Sequence, residues 1–194
     1  MEVKPGSCIY VLDDVISDDL CETLRVVIDK TKGYKEEYAL RSNVKAECVK
    51  ISNFENKKFA QIIDDKVHKF VGDICKRILA INPLIMKING DEGYSFRKIH
   101  GSTRLHTDDI FSYKPKKESV QSIDISSIRK LSLIIALNSD YEGGEFYFPN
   151  QGIDKIKLKK GQAILFPPHW THPHGVSKPE NNTFRYTINT WLLE

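Results

Sequence analysis

The chain has 194 residues, 40% hydrophobic and 28% charged, which suits one domain with a buried core. Its formal net charge of +3 is too small to argue for a nucleic-acid partner, and the lysine runs at 114–117 and 157–160 read as solvated faces. No apolar stretch approaches the roughly 20 residues that span a bilayer, and the N-terminal run is too short for a signal peptide, so a membrane protein is excluded and a cytoplasmic one expected.

Cys8, Cys21, Cys48 and Cys75 form no CxxC pair. They suit free thiols in a reducing compartment better than a zinc knuckle or a disulfide framework. The first predicted helix runs over 17–33. Ser17 is its N-cap, acids fill its first turn, Leu20, Leu24, Val27 and Ile28 recur at helical spacing, and Gly33 stops it. The polar stretch 32–46 is expected to be a mobile loop. A second helix is predicted over 57–83, with a stripe of Phe59, Ile62, Ile63, Val67, Phe70, Val71, Ile74 and Ile78, ended by Pro83. His68 beside that stripe reads as a surface or interface residue.

After Pro83 the pattern changes to short runs separated by Gly, Pro, Asn and Asp. Strands are predicted at 93–99, 129–137, 144–149, 153–158, 162–167 and 184–192. Many short strands in one run imply a mainly β fold, an antiparallel sandwich or barrel with the helices packed outside. The aperiodic segment 112–128 is a long connection of the kind that often carries function.

The stretch Arg104–Ile110, RLHTDDI, places His106 and Asp108 two residues apart. On an extended chain both point to one side. An imidazole and a carboxylate on one face make two metal ligands, and a facial triad on iron(II) needs one more. Alone the pair is weak, because an ordinary polar turn has the same residues. The C-terminal run supplies three further histidines, His169, His172 and His174, and then Arg185 in an alternating segment. Arg185, Thr187 and Asn189 share one face. An arginine turned into a barrel needs an anion, and its planar fork suits a carboxylate; the alternative is that Arg185 faces solvent.

In order, the segments IYVLDDVISDDLCETL, RLHTD, LSLIIALNSDYEGGEFYFP, KKGQAILFPPHWTHPHGV and FRYTINTWL resemble the iron(II)- and 2-oxoglutarate-dependent dioxygenases, in their prolyl 4-hydroxylase-like branch. The resemblance covers nearly the whole chain. It implies a double-stranded β-helix (jelly-roll, cupin-like) core in a single domain over 1–194, with an N-terminal strand and supporting helices in 1–83 and the core in 84–194. It implies His106, Asp108 and His174 as metal ligands, with His172 as the alternative third ligand. Arg185, and to a lesser extent Thr187, would hold 2-oxoglutarate. Fe(II), 2-oxoglutarate and O2 are the implied cofactor and cosubstrates, ascorbate an accessory reductant, and a prolyl residue of a peptide or protein the substrate. No side chain is required as an acid or base beyond the metal centre.

The chain departs from the family in two places. No tyrosine stands eight to ten residues before His106, the nearest being Tyr94, and Ala136 occupies a strand position where tyrosine is common. Tyr147 is a candidate substitute. The competing readings are a dioxygenase of a small molecule or another side chain, a cupin-like metal barrel without oxygenase activity, and a non-catalytic relative. The base-repair pattern Arg-x-Asn-x-Thr-x-Arg does not match RYTINTW.

Overall fold

Both helices form where the apolar spacing predicts them. In the computed structural model, which describes residues 6–37, 45–83, 85, 87–109 and 128–194, helix α1 is Asp18–Lys30. The Ser17 side chain accepts from the Leu20 N–H, Asp18 and Asp19 sit at the positive end of the helix dipole, and Lys30 sits at the negative end. The helix stops short of Gly33 because Thr31 is already extended. Helix α2 is Lys57–Ile81, capped by the Asn56 side chain on the Phe59 N–H. Its buried stripe is Ala60, Ile63, Val67, Val71, Ile74 and Ile78. Ile62, expected in that stripe, is 51% exposed because it falls on the far side of the helix, and Phe59 and Phe70 lie at the margins.

The strands, in chain order, are β1 Tyr10–Leu12, β2 Tyr34–Glu37, β3 Lys45–Lys50, β4 Gly90–Asp91, β5 Ser95–Ile99, β6 Thr103–His106 and β7 Arg129–Ala136. They continue as β8 Glu142–Gly143, β9 Phe146–Phe148, β10 Ile153–Ile156, β11 Ala163–Phe166, β12 His174–Val176, β13 Pro179–Glu180 and β14 Arg185–Leu193. The larger sheet has the order β1-β11-β7-β14-β5-β3-β2, with β4 joined to β14; the smaller is β10-β9-β12-β6. The recorded pairings are antiparallel. All six predicted strands are present, most of them shorter at the ends.

The expected loop at 32–46 is instead partly strand. β2 pairs with β3, and β3 with β5, so both extend the edge of the larger sheet. β3 buries Ala46, Cys48 and Val49, but these few apolar residues stand among lysines and a glutamate and leave a weak strand signal. Residues 38–44, and 112–127 of the predicted long connection, lie outside the described residues.

Two apolar layers flank the larger sheet. On its outer face α1 and α2 pack against Leu131, Leu133, Ile135, Tyr186, Ile188 and Leu192. On its inner face Ile134, Ala136, Ile164 and Phe166 meet Phe146, Phe148 and Val176 of the smaller sheet. Strand alternation divides β7 and β14 between the two layers. The two facing antiparallel sheets, with helices on the outside, are a double-stranded β-helix. Among the described residues no helix is long and apolar enough to cross a membrane.

Candidate metal centre

β6 and β12 pair so that His106 lies directly opposite His174. Each imidazole is oriented by its own backbone. His106 Nδ1 lies 2.9 Å from the Arg104 carbonyl and His174 Nδ1 lies 3.1 Å from the His172 carbonyl. A carbonyl oxygen only accepts, so each Nδ1 carries a proton, and Nε2 is the atom that can ligate a metal when the ring is neutral. Asp108, beyond the end of β6, sets one carboxylate oxygen beside each Nε2. Its Oδ1 is 3.3 Å from His106 Nε2 and its Oδ2 is 3.5 Å from His174 Nε2. Ligand atoms of the three residues all lie within 4.8 Å of one another. Two neutral imidazole nitrogens and one carboxylate on one side of a point are the donor set that suits a divalent transition metal with open positions.

The surroundings tune these groups. Burial raises the Asp108 carboxyl, but the His106 hydrogen bond, the His174 charge and the Ser132 hydroxyl outweigh it and hold it well below the usual carboxylate range. Ser132 Oγ donates to Asp108 Oδ2 at 2.6 Å. Burial lowers His174. Burial also opposes protonation of His106, but the Asp108 hydrogen bond and charge outweigh it and raise that ring. The His174 ring packs among Phe148 and Phe166, at 5.6 and 4.4 Å between centroids, which keeps its side of the site dry.

Arg185 opens β14, paired with Ile99 of β5, and is only 4% exposed. Its guanidinium lies 4.9 Å over the Phe146 ring, and Nη1 reaches the Gly144 carbonyl at a long 3.4 Å. Among the described residues no carboxylate pairs with it, and its buried Nε donates to no acceptor. Burial pushes its pKa down to about 10, so it is still charged at neutral pH. A buried cation without a protein counter-ion is costly. It lines the same cavity as His106, Asp108 and His174, so the residues present fit a ligand with a carboxylate at its far end.

Gly143 and Gly144, both at positive φ, make the turn that places this wall. A Cβ on Gly143 would lie 2.4 Å from the Lys178 carbonyl oxygen, and one on Gly144 would lie 2.9 Å from the Tyr141 ring.

The other predicted residues are placed differently. His172 points away from the centre: its Nε2 is 2.8 Å from the Ser7 carbonyl and its Nδ1 is 2.8 Å from Thr171 Oγ1, so both nitrogens are engaged. His169 faces Asp109 at 3.5 Å. Thr187 is fully buried with its hydroxyl on Asn189 Oδ1, and Asn189 lines the cavity in its place. Neither the candidate Tyr147 nor Tyr94 lines the cavity. Tyr94 bonds Asp91 and His68, and Tyr147 covers Gly175 on the outer side of β9.

Sequence reasoning missed Ser132, Arg97 and Trp191 as cavity or ligand neighbours. Ser132 left a signal, since it is the one polar residue inside the apolar run 131–137. Trp191 lines the cavity, while Trp170 is 77% exposed.

The comparisons agree with this geometry. The sequence profile of the 2OG-Fe(II) oxygenase superfamily matches residues 95–193, just over half of the chain. The chain belongs to this superfamily. It is a dioxygenase that uses Fe(II), 2-oxoglutarate and O2. No curated protein sequence matches it.

Solved structures share the fold at low identity. A viral collagen prolyl hydroxylase from Paramecium bursaria Chlorella virus-1, in complex with 2-oxoglutarate, is 17% identical; 97% of each chain is covered, and the TM-score is 0.66. A Pseudomonas putida prolyl-4-hydroxylase is 14% identical, with 96% of this chain and 92% of that one covered and a TM-score of 0.60. A prolyl hydroxylase in complex with a hypoxia inducible factor peptide fragment from Trichoplax adhaerens is 15% identical, with 96% and 84% covered and a TM-score of 0.65.

Proposed function

We propose that His106, Asp108 and His174 hold Fe(II), that Arg185 binds the far carboxylate of 2-oxoglutarate, and that the enzyme hydroxylates a prolyl residue of a peptide or protein. The observation that carries the site is the gathering of both Nε2 atoms and the Asp108 carboxylate around one point, with the Arg185 guanidinium, which has no carboxylate partner among the described residues, lining the same cavity. The prolyl assignment rests on the three structural neighbours, each named a prolyl hydroxylase.

When bound, the metal and cosubstrate supply the oxidising chemistry, coupling decarboxylation of 2-oxoglutarate to insertion of one oxygen atom into the substrate. The chain's own contribution is placement. The Arg104 and His172 carbonyls fix both ring orientations, and Ser132 holds one Asp108 oxygen. Arg185 would orient a dicarboxylate by holding the end away from the metal ligands, and Phe148 and Phe166 exclude water beside His174. No side chain moves a proton in this scheme.

We read residues 1–194 as one dioxygenase domain. The hydrogen bonding of β1, β2 and β3 into the sheet that contains β14 supports this. A cytoplasmic location fits four unpaired cysteines, and ascorbate is an accessory reductant of this reading.

The test begins without substrate. Metal-free protein given Fe(II) and 2-oxoglutarate without oxygen should show the visible charge-transfer band of an iron-bound 2-oxoacid, and Asp108→Ala should not. Aerobic incubation with proline-containing peptides should then yield succinate and a peptide heavier by one oxygen atom. A band without peptide oxidation would retain the metal centre and remove the prolyl assignment.

A further inference from the structure

Asp108 carries a ligand oxygen from a stretch that no strand supports. The ladder of β6 ends at His106, and the chain passes into residues 110–127 directly after Asp109. Something else must set the backbone there, because Ser132 holds only the carboxylate.

Arg129, the first residue of β7, supplies that support. Its Nη1 donates to the Asp108 carbonyl at 2.8 Å. Its Nε and Nη2 make a two-pronged pair with the Glu92 carboxylate at 2.5 and 2.6 Å. The flat face of the same guanidinium stacks on Trp191, 3.6 Å from the ring centroid. Glu92 is itself fixed, since its N–H donates to the Trp191 carbonyl at 3.1 Å. One side chain therefore joins the segment after β6, the turn after β4 and the strand β14. It ties the end of the smaller sheet to the larger one and draws together residues 108 and 129 on either side of the 110–127 connection. The Arg129 side chain is 10% exposed, while the Glu92 side chain is 30% exposed and borders solvent.

We propose that Arg129 is a positioning residue that holds Asp108 in its ligating orientation and seats Trp191 as a wall of the cavity. This rests on the metal-centre reading above. Only arginine fits the role: the planar fork engages Glu92 in two bonds, leaves Nη1 for the carbonyl, and offers a face to the indole, whereas lysine has a point charge and no plane.

The sign of the effect separates positioning from simple electrostatics. Arg129 carries positive charge beside a cation site. If charge were its only influence, removing it would tighten metal binding. Positioning predicts the opposite.

The experiment measures Mn(II) affinity on metal-free full-length protein by calorimetry, for wild type, Asp108→Ala, Arg129→Met, Arg129→Lys and Glu92→Gln. In a Trp170→Phe background, fluorescence reports on Trp191 alone. Arg129→Met should weaken Mn(II) binding by about 10–100-fold, the range seen when groups that orient metal ligands are removed. Its Trp191 emission should move to the red as the indole is uncovered. Lysine should recover little of the affinity, and Glu92→Gln, which loosens one prong, should weaken binding in the same direction by a smaller factor. Unchanged or tightened Mn(II) binding in folded Arg129→Met would overturn the proposal. If that variant fails to fold, Glu92→Gln decides: unchanged Mn(II) affinity there overturns it as well. If wild type and Asp108→Ala bind Mn(II) alike, the metal centre itself is wrong and the role of Arg129 falls with it. If Asp108→Ala alone loses the metal, only Arg129 is misassigned.

Discussion

The two faces of β14 do different work. Its outward residues Tyr186, Ile188 and Leu192 sit in the apolar layer beneath α1 and α2. Its inward residues Arg185, Asn189 and Trp191 line the cavity that also holds His106, Asp108 and His174. The outward face gains stability from buried area; its polar groups are the Tyr186 hydroxyl, which reaches Asp29, and the buried Thr190 hydroxyl. The inward face keeps a buried, unpaired guanidinium, an arrangement that weakens the fold and makes sense only if a ligand completes it. Changes on the outward face should therefore shift stability and leave ligand affinity alone, and changes on the inward face should act first on ligand affinity.

The sharpest break of this contrast is Asp108→Ala. It should lower divalent-metal affinity by more than about 100-fold, going beyond the loss expected for groups that merely orient a ligand, while the melting temperature of the metal-free protein stays close to wild type. Paired calorimetry and thermal melts check both halves.

Ile188→Ala is the counterpart on the outward face. Ile188 is 1% exposed within the helix-covered layer, so truncation should cost about 3 kcal/mol. In a chain of this size that corresponds to roughly 6–12 °C in Tm. Mn(II) affinity of the folded variant should not change; a loss there would show that the two faces are not independent.

Arg185→Lys keeps the charge and loses the fork. It should raise the 2-oxoglutarate concentration needed for the charge-transfer band by about 10–100-fold, equivalent to one or two charge-assisted hydrogen bonds, with Fe(II) binding intact. An unchanged requirement would place the cosubstrate carboxylate elsewhere. Ser132→Ala should be milder, about 10-fold in metal affinity, because it frees one Asp108 oxygen and leaves the ligand set complete.

The smallest effect concerns the cysteines. Cys8 is exposed, whereas burial pushes the Cys21 thiol up to about 11. Below that pH Cys21 is mostly protonated as well as inaccessible. Iodoacetamide at pH 8 should therefore label Cys8 in the native protein and reach Cys21 only after denaturation, as mass mapping of the labelled peptides can show.

The sequence by itself determined the helices, most of the strands and the chemistry. Apolar residues at helical spacing marked α1 and α2, alternation marked β14, and the His-x-Asp pair with a later histidine and arginine marked the centre, because these signals are local and each residue type has a narrow set of uses. Tertiary structure decided what depends on distant partners. Choosing His174 over His172 by geometry needed the β6–β12 register and the Ser7 carbonyl, which lies 165 residues before His172 in the chain. β2 has no apolar alternation to announce it, and β3 has only Ala46, Cys48 and Val49 among charged residues; the open edge of β5 supplies the hydrogen-bond partners that make them strands. Ser132, Arg129 and Trp191 gained their places at the site only when β7 and β14 came together beside Asp108, and no local pattern in a strand records which neighbour its inward side chains will meet.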